Sequence, residues 1–181
     1  MRGLRNSDAG FGLISRALHW GMAALVLTLI ALGITLSNMT PSLANLWLYG
    51  LHKSLGFMAL VLVIARMLWH RISPPPPPIG AQNALPQRLA RGVHALIYLL
   101  LVVIPIAGWV GSSATGIDTV IFNSLTLPAI APVSEAWDIA AFTVHRIAAW
   151  ILAALIALHV AGAILRAFKG EPSLRRMIRG L

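Results

Sequence analysis

The sequence predicts an all-α membrane protein, a bundle of four transmembrane helices with both termini cytoplasmic. Three observations carry that expectation. Of 181 residues, 58% are hydrophobic and only 10% are charged, with a mean hydropathy of +0.81. A soluble domain is about half apolar and about a quarter charged, so this surface could not be covered in water. Charge-free stretches run from Ala17 to His52, from Gly92 to Ile117 and from Ile147 to Leu165, each able to hold a span of about 20 residues. The cations, finally, cluster at alternate ends of those stretches.

Taken in order, the first helix is expected at about 17–37, too long for the apolar region of a signal peptide and followed by no small-residue cleavage site. The second, at about 48–70, is interrupted only by Lys53 and Arg66. The third, at about 91–111, contains Pro105, which is expected to kink it and which a bilayer tolerates when neighbours satisfy the freed carbonyl. The fourth is expected at about 139–166. Together they make residues 1–181 a single integral-membrane domain with no extramembrane domain and no internal repeat.

Charge then orients the bundle. Arg2, Arg5 and Arg16 precede the first span; Arg66, Arg71, Arg88 and Arg91 lie at or between the facing ends of the second and third. Arg166, Lys169, Arg175, Arg176 and Arg179 follow the fourth. The two opposite loops hold no Lys or Arg, and the longer carries Asp118, Glu135 and Asp138. By the positive-inside rule both termini are cytoplasmic. The excess of 14 Lys and Arg over 5 Asp and Glu is therefore read as basic loops on one side of a lipid bilayer, not as a nucleic-acid surface. The inner loop contains Ser73 followed by five prolines, Pro74 to Pro78, read as a stiff spacer.

With no cysteine, disulfides, thiolate metal sites and covalent haem attachment are excluded, and any metal chemistry rests on six histidines. His145 and His159 share the fourth helix 14 residues apart, about 21 Å along its axis and only about 40° short of four full turns. Both imidazoles thus leave one face, one near each membrane surface. Antiparallel packing brings His52 to the level of His145 at the outer side, and His19 to that of His159 at the inner side. Two imidazole pairs in a bundle core, without a carboxylate to complete a hard-metal site, suit iron in a porphyrin. Small residues on the fourth helix (Ala153, Ala154, Ala157, Ala161, Gly162) would leave room for a bulky ring or serve close helix contact.

The charges within the spans fit the same depths. Lys53 follows His52, Arg146 follows His145, Arg66 lies 14 residues after His52 and Arg16 one turn before His19. These four are candidate contacts for haem propionates; the alternative is that Lys53 and Arg66 snorkel to the interfaces. His70 reads as a solvated residue at the end of the second span. His94 could replace His19 as a ligand, donate to a quinone carbonyl or simply pack, and Trp20 is a second candidate for quinone contact.

The residues also resemble a known family. Arg16-Ala17-Leu18-His19-Trp20 resembles the first-helix entry of the bacterial cytochrome b561 family, and Leu51-His52-Lys53-Ser54-Leu55-Gly56 is similar to its second-helix motif. Arg66-Met67-Leu68-Trp69 with the proline run, His94 with Tyr98-Leu99-Leu100, Gly108-Trp109, and the positions of His145 and His159 extend the likeness over nearly the whole chain. The resemblance implies a di-haem b-type cytochrome of the bacterial inner membrane, with two haem b groups, His19 with His159 as ligands of the inner and His52 with His145 of the outer. It implies a quinone-linked oxidoreductase of the respiratory chain, passing electrons between an outer-side donor, small molecule or protein, and ubiquinone or another quinone. One branch resembles a superoxide oxidase. Yet residues 110–138 offer three acids and no Lys or Arg, the wrong field to steer an anion. Two other classes remain expectations to be tested: a haem-bearing anchor subunit of a larger dehydrogenase or hydrogenase, and a metal transporter. The second is disfavoured because no Asp or Glu lies well inside a span.

Overall fold

The computed structural model describes residues 3–80 and 85–180; Arg2, counted above among the cations, lies outside them. Four long helices dominate: α1 (Leu13–Ser37), α2 (Leu46–Ile72), α3 (Leu85–Ala114) and α4 (Glu135–Phe168). Each is long and apolar enough to cross a membrane. All four contain the predicted spans and outrun them at one or both ends. Between α3 and α4 lies an antiparallel hairpin, β1 (Thr119–Ile121) and β2 (Leu125–Leu127), with Val120 opposite Thr126. A short helix, α5 (Ser173–Arg179), ends the chain. Neither of these was expected from the sequence.

Local chemistry explains the boundaries. Gly12 stands just before α1 because a Cβ there would overlap the carbonyls of Leu4 and Arg5. α3 runs unbroken through Pro105. Ser134 accepts the Trp137 N–H at the start of α4, whose first turn also carries Glu135 and Asp138 against the positive end of the helix dipole. Three residues, 122–124, join the strands: Phe122 and Asn123 both hold positive φ (48° and 55°), and the Ser124 N–H donates to the Ile121 carbonyl at 3.0 Å.

The helices alternate in direction, α1 packing on α2, α2 on α3, and α3 most extensively on α4. The α1–α4 seam is much more open. Mid-bundle, Val26 of α1, Leu100 of α3, and Ala148 and Leu152 of α4 form a buried apolar cluster. The outward faces carry large exposed apolar residues such as Leu27, Val61, Leu99 and Trp150, as lipid contact requires.

The first and last described residues gather at one end, here the terminal end, and the hairpin marks the other. At the terminal end the proline run is clamped on two sides. Asn6 donates through Nδ2 to the carbonyls of Ser73 and Pro74 at 2.8 and 3.2 Å, and Arg176 donates to that of Pro77 at 3.3 Å. Trp69 Nε1 donates to the buried Ser15 hydroxyl at 2.9 Å, tying α2 to α1. At the hairpin end the buried Ser54 hydroxyl receives the N–H of Phe122 at 2.8 Å.

Candidate haem sites

The structure brings four of the sequence-predicted histidines into two pairs, one toward each end of the bundle. His52 of α2 and His145 of α4 have ring centroids 6.1 Å apart at an interplanar angle of 70°. His19 of α1 and His159 of α4 have centroids 6.2 Å apart at 61°. The apolar Val26–Leu100–Ala148–Leu152 cluster lies between the two levels on α4. His52 and His145 come from neighbouring helix ends at the hairpin side because α2 and α4 both run from that side toward the terminal end.

These distances test whether the residues fit a metal held between two imidazoles. A ring nitrogen lies about 1.1 Å from its ring centroid and binds a first-row metal at about 2.0–2.1 Å. Two imidazoles on opposite sides of one metal therefore have centroids roughly 6.2–6.4 Å apart. The observed separations, 6.1 and 6.2 Å, lie just below and at the lower edge of that range. His94 does not form a third such pair: its centroid is 5.0 Å from that of His159, too close to bracket a metal. Among the described residues, no group of three or more His, Cys, Asp or Glu is arranged to hold a metal ion. Each site therefore offers two neutral imidazole donors, the ligand type of b haems.

The surroundings of the hairpin-end pair complete the fit. His145 Nδ1 lies 2.8 Å from the Ile104 carbonyl of α3. A carbonyl can only accept, so Nδ1 carries the proton and Nε2 keeps its lone pair for a ligand. Gly108, one turn after Ile104, makes this approach possible, since a Cβ there would meet the His145 ring at 3.1 Å. Gly33 of α1 passes the His52 ring, with 3.5 Å to a notional Cβ. The Nδ1 of His52 is buried without a hydrogen-bond partner, leaving one polar atom at this site unsatisfied by protein.

The terminal-end pair is built differently. Arg66, only 9% exposed, directs Nη2 to within 3.3 Å of His19 Nδ1, and its Nε donates to the Tyr98 hydroxyl at 2.7 Å. It does not snorkel outward. Trp20 packs edge-on against His19 with centroids 5.1 Å apart, and its Nε1 donates to the Met177 carbonyl at 3.1 Å. Arg16 donates to the Ile178 carbonyl at 2.9 Å. His70, expected to be solvated, is half-buried with Nε2 unpartnered and its ring edge-on to Tyr98.

Of the other predicted cations, Lys53 gives its ammonium to Ser112 at 2.7 Å, and Thr119 donates to the same hydroxyl at 2.9 Å. Arg146 is exposed. Of the four candidate cations only Arg66 lies within hydrogen-bond reach of a paired histidine. Ala154, Ala157 and Ala161 are exposed on α4, whereas Ala153 and Gly162 are half-buried. Sequence reasoning missed the contributions of Ile104, Gly33, Ser112 and the Tyr98 hydroxyl. Tyr98 carried a signal, since a phenol in an apolar span needs a hydrogen-bond partner; a main-chain carbonyl carries none.

The model of the family described as prokaryotic cytochrome b561 matches residues 10–180, nearly the whole chain that contributes both histidine pairs. The chain belongs to the prokaryotic cytochrome b561 family. Among relatives of this cytochrome b561, cytochrome b561 homolog 2 of Escherichia coli (strain K12) is 32% identical over 177 residues, 96% of this chain and 93% of the relative. A probable superoxide oxidase CybB of Yersinia pestis is 31% identical over 99 residues, 54% of this chain and 55% of the relative. Membership makes the chain a multi-pass bacterial membrane cytochrome that binds b-type haem and transfers electrons. The expected fold class, a four-helix membrane bundle, is also met.

Proposed function

We propose that this cytochrome b561 carries two b haems, one per histidine pair, and passes electrons across the bacterial inner membrane between a donor at the hairpin side and membrane quinone. The single observation that supports this most strongly is the pair of 6.1 and 6.2 Å imidazole separations at opposite ends of one bundle. His52 and His145 would hold one haem; His19 and His159 would hold the other. A haem held by these imidazoles would supply one-electron redox chemistry.

The chain's own residues do the remaining work. Ile104 fixes the tautomer of His145, and Gly108 keeps a Cβ atom away from that ring. The Val26–Leu152 layer keeps water from the space between the sites. Lys53, Arg16 and Arg146 are the cations available to haem propionates, while Arg66 is held by Tyr98 beside His19. His94 and Trp20 at the terminal end are the candidates for quinone contact. The cation distribution supports a cytoplasmic position for that end.

The hairpin end carries Asp118, Glu135 and Asp138 against two cations, Lys53, which is engaged by Ser112, and the exposed Arg146. That field favours a neutral donor or a protein with a basic face over an anion. Superoxide, suggested by the name of the Yersinia relative, is the small-molecule donor to test against it.

The decisive experiment is a haem-to-protein ratio with a reduced-minus-oxidised spectrum on wild type, His52→Ala and His159→Ala. Two low-spin b haems in the wild type and one in each variant are expected. A wild type without stoichiometric haem, expressed with ample haem supply, would sink the proposal. Quinone reduction by the isolated protein separates a self-sufficient oxidoreductase from an anchor subunit.

A further inference from the structure

We infer that Arg66, held by Tyr98, makes the His19–His159 site the more readily reduced of the two, so that electrons favour the terminal end. The inference rests on the di-haem reading proposed above.

Arg66 is an unusual residue for its position. It lies deep in α2, 9% exposed, and no carboxylate neutralises it: among the described residues the ion pair present is Arg166 with Glu171, on other elements. A buried charge without a counter-ion is costly, and an arginine near a span end can normally escape by extending to the interface. Here α3 prevents that. The Tyr98 hydroxyl accepts from Nε at 2.7 Å, which turns the guanidinium inward and leaves Nη2 at 3.3 Å from His19 Nδ1. The cost of holding a bare cation against one imidazole pair calls for a use.

The hairpin-end pair has the opposite partner. His145 donates Nδ1–H to the Ile104 carbonyl, and a good acceptor on that proton raises the basicity of the ligating nitrogen. A more basic ligand stabilises the oxidised, more positive iron. A fixed positive charge in a low-dielectric interior does the reverse and stabilises the reduced form. A guanidinium can only donate, so His19 Nδ1 is the acceptor in this contact; the effect on the site is that of the charge, which acts through space and not through this hydrogen bond. Lys53, the nearest comparable cation at the hairpin end, is directed to Ser112 of α3. The carbonyl and the guanidinium thus push the two sites apart in the same sense, and the chain sets a downhill direction from the hairpin end to the terminal end.

The test is a spectroelectrochemical redox titration of the purified, haem-loaded full chain. Wild type is expected to titrate as two one-electron components, and His159→Ala identifies the terminal-end one by its loss. Arg66→Gln is expected to move that component, the higher of the two, to lower potential. The expected size is at least a tenfold change in electron partition between the sites, 59 mV for one electron, with the other component unmoved. Arg66→Lys keeps the charge and is expected to recover most of the shift. Tyr98→Phe, which frees the guanidinium without removing it, is expected to move the same component in the same direction by less.

Arg66→Gln with both components in place, with both shifted equally, or with only the hairpin-end component shifted would overturn the inference. If Arg66→Gln loses haem, the other two variants decide: an unmoved terminal-end component in Tyr98→Phe overturns the inference, and a lowered one supports it. A wild type lacking two components would instead overturn the di-haem reading, and the inference with it.

Discussion

His145 of α4 and Ile104 of α3 are joined by a 2.8 Å hydrogen bond from imidazole Nδ1 to main-chain carbonyl. This one contact orients a ring, fixes its tautomer and leaves Nε2 free toward His52, whose centroid is 6.1 Å away. A carbonyl is a suitable partner because it cannot compete for the ring as a charge, and because helix geometry places it without side-chain freedom. The pair at the other end relies on a guanidinium instead, so the two sites of one bundle are chemically unequal.

The contact depends on Gly108. An added Cβ would lie 3.1 Å from His145 Nδ1 and 3.2 Å from Cε1, so Gly108→Ala should tilt the ring off the Ile104 carbonyl. Overpacking of this kind costs about 1–3 kcal/mol. The expected result is a changed spectrum, or lost occupancy, of the hairpin-end haem alone. Gly33→Ala is the control: its Cβ would sit at an ordinary 3.5 Å from His52 and should leave the spectrum unchanged.

Ser54 latches the hairpin to α2. Its hydroxyl, in a residue 2% exposed, accepts the Phe122 N–H at 2.8 Å while donating to the Gly50 carbonyl. Phe122 is held at φ 48°, a conformation that a bulky residue keeps only when its surroundings enforce it. Ser54→Ala leaves that N–H without its partner, a loss of about 1–3 kcal/mol if it stays buried. Amide hydrogen exchange over residues 119–127 should accelerate, with the histidine pairs and haem content unaffected.

At the terminal end, Ser15→Ala should act through Trp69. Ser15 is 1% exposed and accepts the indole N–H at 2.9 Å; without it the buried donor is unsatisfied, again at about 1–3 kcal/mol. A lowered thermal midpoint in detergent, reversed by Ser15→Thr, is the expected outcome.

Orientation can be read directly because the chain has no cysteine. A single cysteine at Arg175 should be labelled by a membrane-impermeant thiol reagent only after the inner membrane is opened. One at Phe122, exposed in the hairpin turn, should be labelled from outside. The reverse pattern would overturn the assignment of the termini to the cytoplasm.

The sequence by itself determined the four spans, their alternation and the shared face of His145 and His159, while it left open whether His19 or His94 meets His159. Charge-free stretches and helical period survive any packing that a bilayer allows, and fourteen residues on a helix return nearly to the same face. His145 and His159 therefore could not face apart. What only the tertiary structure decided lies between elements. The hairpin escaped notice because its turn, Phe122-Asn123-Ser124, has no glycine and owes its shape to Ser54, 68 residues away. α5 showed in the sequence only as cations after the fourth span, yet its end is held by Arg16 and Trp20 of α1. The depth of Arg66 was legible, but its direction was not: a long side chain follows whichever partner is near, and Tyr98 on another helix supplied it. The carbonyl that orients His145 has no side-chain identity for a sequence to display.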